Sequence, residues 1–174
     1  MIMMKNIFKF LACALLVLGV SSCAKEEIGG TAVQDMAGEW YVMVDAVDAQ
    51  GNVVMEDPYG MGFFELFTYN TNANLATEMY VDDNGNFWDF RVKVNVDYVA
   101  KTFSASNALD DYNEIMVDLK DGKIVKNGAT SPAGYSADSI SFVVVFEDDD
   151  YVGDLYDALW IHGYRRTGLN GGYD

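Results

Sequence analysis

Residues 38–46 read Gly-Glu-Trp-Tyr-Val-Met-Val-Asp-Ala, and this stretch decides the fold. Apolar side chains recur at every second position, at Trp40, Val42, Val44 and Ala46. Successive side chains of a β-strand point to opposite faces, so this spacing predicts a strand with one apolar face. Later strands have to pack against that face. The stretch is therefore interpreted as the first strand of an all-β domain.

The rest of the chain contains further β-rich runs separated by turn residues. The clearest is 87–96, where Trp88, Phe90, Val92 and Val94 alternate with polar residues. Such alternation is typical of a strand with one buried and one solvated face. The predicted strands after the first are 63–69, 75–81, 87–96, 102–106, 114–119, 124–125, 139–146 and 159–166.

Turn residues and one helical pattern connect these strands. Asn84-Gly85 predicts a hairpin between 75–81 and 87–96, and Asp121-Gly122 predicts one between 114–119 and 124–125, because both dipeptides favour tight hairpin turns. Residues 151–158 are predicted to form a short helix, since their apolar side chains recur four positions apart. No long amphipathic helix is predicted.

So many short strands in one domain indicate an up-and-down barrel or a sandwich. The domain has no disulfide, because Cys13 lies in an apolar leader segment and Cys23 lies at its end. A closed barrel leaves no strand edge exposed, which favours the barrel for a lone domain. We therefore predict an all-β fold: a single antiparallel barrel of eight or nine strands that holds one small ligand or a filled core.

The N-terminal segment has the features of a lipoprotein signal peptide. Lys5 and Lys9 precede an apolar run at 10–20, which is shorter than the roughly 20 residues of a membrane span. The run ends in Val-Ser-Ser-Cys at 20–23, which resembles the lipobox at which bacterial lipoproteins are cleaved and acylated. The predicted organisation is a signal peptide at 1–22, lipidated Cys23 with a flexible tether to residue 35, and the barrel at 36–169.

The charge of the chain restricts its partners. The formal net charge is −16, with 27 acidic and 11 basic residues, and it becomes more negative once Lys5 and Lys9 leave with the signal peptide. Such a surface disfavours nucleic acid and anionic membranes. Membrane attachment is therefore expected through the lipid anchor on Cys23. The expected location is the cell envelope, anchored to the outer membrane and displayed at the surface.

The first and last strands carry a resemblance to the lipocalin, or calycin, plan. Gly38 and Trp40 begin the first strand, a short helix is predicted late in the chain, and Arg165 and Arg166 end the last strand. The resemblance implies that a terminal arginine packs over the tryptophan and closes the base of the barrel. Alternation leaves open whether that arginine is Arg165 or Arg166.

A closer resemblance is to a family of Bacteroidetes lipoproteins described as lipid-binding putative hydrolases. It is carried by residues 38–42, 69–71, 138–142 and 163–168, and it extends over about 36–169. The resemblance implies a lipocalin-like barrel that binds an apolar small molecule or a lipid. It also raises the alternative of a lipid or ester hydrolase.

Aromatic side chains are the candidates for a ligand pocket at the mouth of the barrel, where ligands of barrels enter. The same side chains also serve as ordinary core residues, which is the more common role of an aromatic strand face. The candidate pocket residues are Phe63, Phe67, Trp88, Phe90, Phe142 and Phe146.

Catalytic and metal-binding patterns are weak in this sequence. The nucleophile-elbow pattern Gly-x-Ser-x-Gly is absent, so no catalytic residue is assigned. His162 is the only histidine, and a hydrolase would need it beside a serine and a carboxylate. One histidine and no free cysteine disfavour zinc. Acidic residues at 147–150, 154 and 157 suggest a calcium site as an alternative to a solvated loop. We expect no metal and no cofactor.

Three functions remain open at this point. The first is a surface-anchored lipoprotein that binds an apolar or lipid-like ligand in the barrel. The second is a lipid or ester hydrolase of unrecognised type. The third is an accessory module of an outer-membrane complex, for which a filled barrel and an exposed aromatic patch would be expected.

Overall fold

The computed structural model describes residues 29–167 of the chain. The predicted signal peptide at 1–22, the predicted lipidation site Cys23, residues 24–28 of the predicted tether and residues 168–169 lie outside the described residues. The strands belong to a compact unit that begins at Thr31. Within residues 29–167, no helix has the length and apolarity needed to cross a membrane.

Within residues 29–167, nine antiparallel strands make up the fold. Strands β3 to β8 each pair with the next along the chain, and β1 pairs with both β3 and β9. These eight strands close a barrel, and the short β2 adds to the C-terminal part of β1. The predicted all-β barrel is confirmed. The strands are β1 Gly38–Val47, β2 Val53–Glu56, β3 Phe64–Asn70, β4 Glu78–Asp82, β5 Arg91–Asp97, β6 Thr102–Leu109, β7 Met116–Thr130, β8 Ser136–Phe146 and β9 Ala158–Arg165.

Strand β1 forms the seam at which the barrel closes. Its register with β9 runs from Trp40 opposite Arg165 to Val47 opposite Ala158. Pairing on both edges satisfies the backbone hydrogen-bonding groups of β1 and leaves no free strand edge there. Trp40, Val42, Val44 and Ala46 are fully buried in the interior, so the alternation of residues 38–46 is confirmed.

The barrel interior is filled by side chains from the strands. Trp40, Phe90, Phe142 and Phe146 are among the largest fully buried side chains, and Phe142 packs edge-on against Phe103 at 5.7 Å between ring centroids. Close packing of this kind contributes most of the stability of a domain that has no disulfide.

Arg165 closes the base of the barrel, by which we mean the end at which β1 begins. Its guanidinium lies over the Trp40 ring at 4.3 Å from the ring centroid. It donates hydrogen bonds to the backbone carbonyl of Ala37 at 2.5 Å and to the Asp138 carboxylate at 3.1 Å. Arg166 instead pairs with Glu39 near the Tyr41 ring. Arg165 is therefore the arginine that covers the tryptophan.

The residues before β1 belong to the packed unit rather than to the tether. Val33 and Met36 are fully buried, and the carbonyl oxygen of Met36 accepts a hydrogen bond from Thr68 at 2.6 Å. Thr68 in turn accepts a hydrogen bond from the Trp40 indole at 2.8 Å. The packed unit thus begins at Thr31, earlier than the predicted boundary at residue 36, because Val33 fills the base.

Two local predictions in the second half of the chain are wrong. Residues 116–130 form one long strand, β7, and not the predicted hairpin around Asp121-Gly122. The pairing of β7 with both neighbours shifts register at this point, and Asp121 has a φ of 56°. The dipeptide therefore forms a bulge that bends β7. A residue in the left-handed conformation fits such a bulge as well as it fits a hairpin turn.

The predicted helix at 151–158 is also wrong. The segment is a series of turns with one isolated bridge between Val152 and Tyr156, and Ala158 already begins β9. Gly153 has a φ of 87°, which no right-handed helix contains. Its N–H donates to the carbonyl of Tyr156 at 2.7 Å. Of the side chains spaced four apart, Val152 and Tyr156 pack against the core, whereas Tyr151 and Leu155 are exposed.

Candidate functional site

Besides the β1–β2 turn at 48–52, four connections lie at the end of the barrel opposite the base, which we call the capped end. They are 57–63 between β2 and β3, 83–90 between β4 and β5, 110–115 between β6 and β7, and 147–157 between β8 and β9. Each connection contributes aromatic or acidic side chains, so this end combines apolar and charged groups within a small area.

An aromatic cluster, which we call the aromatic cap, fills this end. The Trp88 ring stacks on Phe146 with 4.7 Å between centroids and 4° between planes. Tyr59 lies edge-on to Trp88 at 5.6 Å, and Phe87 contacts both rings. Tyr59, Phe87 and Trp88 remain partly exposed, whereas Phe146 beneath them is buried. The outer rings of the cap are Tyr59, Phe87 and Trp88, and the inner rings are Phe64, Phe90 and Phe146.

The six predicted pocket residues divide into three groups. Trp88, Phe90 and Phe146 come together in the aromatic cap. Phe142 lies deeper, in the filled interior.

Phe63 and Phe67 point to the outer face of the barrel and line no interior. Phe67 is opposite Glu39 and lies between the buried side chains of Leu66 and Thr68. Phe63 is 43% exposed and packs edge-on against Tyr164. The run 63–69 has apolar side chains on both faces, so its sequence does not show which of them face the interior.

Asp83 organises the connection that carries Trp88. It is fully buried, and its carboxylate accepts hydrogen bonds from five backbone N–H groups at 2.8–3.0 Å. These donors are Gly85, Phe87, Trp88, Asp89 and Phe90. A carboxylate with this many donors fixes the course of the whole loop. Residues 87–90, which were predicted to be strand, therefore belong to the loop, and β5 begins at Arg91.

A chain of hydrogen bonds connects two of the four connections. The hydroxyls of Tyr59 and Tyr156 are 2.5 Å apart, and Tyr156 donates to the Asp149 carboxylate at 2.8 Å. Burial raises the pKa of Tyr156 above its ordinary value, and the bonds with Tyr59 and Asp149 raise it further. Tyr156 therefore keeps its proton at neutral pH and continues to donate to Asp149.

A single hydrogen bond restrains the Trp88 side chain from outside. The indole N–H donates to Asp148 at 2.9 Å, and both groups are partly or fully exposed to solvent. Large exposed apolar side chains lie at the same end of the barrel. Their exposed fractions are 38% for Met61, 51% for Leu109, 51% for Tyr151 and 57% for Leu155. The capped end thus exposes apolar side chains in addition to the partly exposed Trp88 ring.

A second group of polar side chains lies on the outer face of β8, β9 and β1. The Nε2 of His162 is 3.0 Å from the Asp45 carboxylate, and the imidazole stacks on Trp160 at 3.9 Å. Ser141 is directly opposite His162 in the β8–β9 register. Directly opposite residues on a shared face have their Cβ atoms about 5 Å apart. Histidine, carboxylate and serine are therefore neighbours on this face.

Sequence reasoning missed several of these residues. Asp45 and Ser141 are ordinary strand residues whose proximity to His162 depends on the register between strands, and no local pattern indicates that register. Tyr59 lies in a connection without periodicity, and the spacing of Tyr156 was interpreted as helical. A signal for Asp45 was present, since it alternates with the buried residues of β1 and so faces outward.

Asp148 and Asp149, two of the acidic residues at 147–157, hold partners other than a metal ion. Asp148 accepts from Trp88, and Asp149 accepts from Tyr156 and from the backbone N–H of Tyr151. Among residues 29–167, no three histidine, cysteine, aspartate or glutamate side chains are grouped to hold a metal ion.

Comparison with known proteins gives one family. A family model described as lipid-binding putative hydrolase matches residues 25–170. The match covers the whole described barrel, including the aromatic cap and the group around His162. No curated protein matches the chain.

Proposed function

Because this chain belongs to the lipid-binding putative hydrolase family, we propose that it binds a lipid-like apolar molecule at the capped end of its barrel. The observation that carries this proposal is the aromatic cap. Its outer rings are partly exposed, and exposed apolar side chains from two connections and from the end of β6 lie at the same end of the barrel. Family membership alone leaves the place of binding open, and the aromatic cap supports the capped end as that place.

The ligand lies against the cap and not in the lower part of the barrel. Trp40 and Phe142 already fill the interior below. Trp88 is the ring that moves, since it covers Phe146 and one exposed hydrogen bond to Asp148 restrains it. When Trp88 moves outward, an acyl chain enters between its ring and Phe146, contacts both rings and covers the exposed apolar side chains at this end.

Replacing Trp88 by alanine is expected to weaken the binding of a fluorescent fatty-chain probe by about tenfold or more, because the apolar contact of an indole ring is lost. The control is Trp160→Ala, which removes a partly exposed tryptophan from the outer face of β9. Titration of each full-length variant with the probe measures its affinity. An equal loss of affinity in the two variants, or no loss in Trp88→Ala, would mean that the ligand binds elsewhere.

The proposal includes the anchor. We propose that Cys23 carries lipid and holds the barrel at the outer membrane, which is supported by the basic, apolar and small-residue pattern of residues 5–23. Mass spectrometry of the protein isolated from its own cells tests this, since an unmodified chain that retains residues 1–22 would contradict it.

A second candidate function is ester hydrolysis at the group around His162. The Asp45 carboxylate only accepts hydrogen bonds, so it holds the proton on Nε2 and leaves Nδ1 of His162 as a base. The hydroxyl of Ser141, opposite His162, is the nearest candidate nucleophile by register. The arrangement has the three groups that acyl transfer by a serine requires.

If this second function is present, Ser141→Ala and His162→Ala will each lower the hydrolysis of a chromogenic short-chain ester by about 100-fold, the contribution expected of a nucleophile–base pair. Ser139→Ala is the matched control, because Ser139 lies two residues away on the same face of β8. Turnover that is the same in all three variants and in the parent chain would exclude hydrolysis at this group.

A further inference from the structure

The charges of the barrel are distributed unequally between its two ends. The four connections of the capped end contain twelve acidic residues and no lysine, arginine or histidine. The connections of the base, at 31–37, 71–77, 98–101 and 131–135, contain Asp35 and Lys101, which pair with each other at 3.2 Å. The negative charge is therefore concentrated around the aromatic cap.

Little of this negative charge is neutralised by cations. Arg91 pairs with Asp111 at 3.1 Å, and Asp83 and Asp110 are buried and bonded to backbone N–H groups. The side chains of Asp148, Asp150, Asp154 and Asp157 on the 147–157 connection are exposed. At physiological ionic strength the screening length is about 8 Å, so exposed carboxylates act on a group bound at the adjacent cap.

The aromatic rings of the cap favour a positively charged ligand group, as the carboxylates do. Tyr59, Phe87 and Trp88 present partly exposed aromatic surface. The faces of such rings attract cations, and ammonium groups in particular. An anionic head group at this place would meet uncompensated carboxylates, whereas an ammonium group would gain from both the carboxylates and the rings.

We propose that the ligand of the capped end is an amphiphile whose head group carries an ammonium group, and that amphiphiles with a carboxylate head are excluded. The inference rests on the proposed function, because it assigns the head group of the molecule whose apolar chain contacts the cap. The head group lies at the 147–157 connection, beside Trp88 and Asp148, while the apolar chain of the ligand runs along the Trp88 ring into the aromatic cap.

The test compares ligands with one tail and different heads. Calorimetric titration of the full-length chain below micelle-forming concentrations uses dodecyltrimethylammonium, dodecylphosphocholine, monododecanoylglycerol and dodecanoate. We expect dodecyltrimethylammonium to bind at least tenfold more tightly than dodecanoate, with the glycerol ester between them. The phosphocholine arm separates a zwitterionic lipid head from a simple cation. Raising the salt concentration should reduce the difference between the charged ligands and leave the glycerol ester unchanged.

Matched variants test whether the 147–157 connection is the source of the preference. Asp150→Asn with Asp154→Asn removes two exposed charges at the cap, and Asp35→Asn with Asp121→Asn removes two exposed charges elsewhere. The first pair should reduce the ratio between the ammonium and carboxylate ligands by threefold or more, because the nearest charges are lost. The second pair should leave this ratio unchanged.

Each outcome separates the head-group inference from the proposed function. If none of the four ligands binds, the proposed function fails and the inference fails with it. If all four bind with similar affinity, or dodecanoate binds most tightly, the head-group inference is overturned while lipid binding stands. A ratio that falls equally in both double variants would also overturn it, because the preference would then come from net charge alone.

Discussion

Replacing Gly163 by alanine is expected to lower the free energy of unfolding by about 3 kcal/mol or more, because the new methyl group would have to displace backbone. A Cβ atom at this position would overlap the carbonyl oxygen of Tyr41 and lie 2.7 Å from the Cα of Val42. Both belong to β1, so the substitution separates β1 from β9 at the seam of the barrel. Urea unfolding followed by tryptophan fluorescence measures the loss.

Gly29→Ala is the control for this prediction, since an added Cβ there has no neighbour within 4 Å. Its free energy of unfolding should equal that of the parent chain. Gly38→Ala should lie between the two, because its Cβ meets the flexible end of the Arg165 side chain and not backbone. A loss below about 1 kcal/mol in Gly163→Ala would mean that the seam adapts, contrary to our account.

Replacing Asp83 by alanine is expected to destabilise the protein by about 3–5 kcal/mol and to abolish binding at the capped end. The substitution leaves five backbone N–H groups of residues 85–90 without their acceptor, and each such group costs about 1–3 kcal/mol when it stays buried. The expected loss is smaller than the sum because the loop can move into water. Trp88 then loses its position over Phe146.

Asp97→Ala is the matched control for Asp83→Ala. The Asp97 carboxylate also accepts backbone hydrogen bonds, from Val99 and Ala100 at 3.0 Å, but it does so in an exposed turn at the base. Its removal should cost about 1 kcal/mol and leave ligand binding intact. Hydrogen exchange resolved by residue checks the reason, since exchange at 85–90 should accelerate only in Asp83→Ala. Unchanged exchange at 85–90 would refute the role assigned to Asp83.

The buried side of β1 could be predicted because its signal is local, whereas the arginine that covers Trp40 was implied by the lipocalin resemblance. Alternation in residues 38–46 identified the buried side of β1, and the same pattern identified Val92 and Val94 in β5. The partner of Trp40 required one further fact, the register of β9, which places Arg165 and not Arg166 over the ring. A shift of one residue would have exchanged their roles.

The errors arose where one local signal fits two structures. Asp121-Gly122 supports a hairpin turn and a bulge equally well, because both need a left-handed residue. Pairing of β7 with β6 and β8 over its whole length selected the bulge. Similarly, residues 63–67 are apolar on both faces, so only the pairing of Phe67 with Glu39 shows that its side chain faces outward.

The candidate site was predicted only in part, since it depends on contacts between distant connections. Trp88, Phe90 and Phe146 were identified as aromatic residues near the mouth. Tyr59 reaches Tyr156, which is 97 residues further along the chain, and no sequence pattern indicates such a contact. The acidic residues of the 147–157 connection were noticed, but their position beside the aromatic cap follows only from the folded barrel.

The short strand β2 has a practical consequence for handling the protein. Within residues 29–167, β2 pairs with β1 along one edge only, and all four of its residues are exposed. Its Val53, Val54 and Met55 offer an apolar edge on which another extended chain can add. The formal charge of −16 keeps copies apart in dilute buffer, and salt removes that repulsion while the edge remains. Concentrated stocks should therefore stay clear longer at low ionic strength than at high.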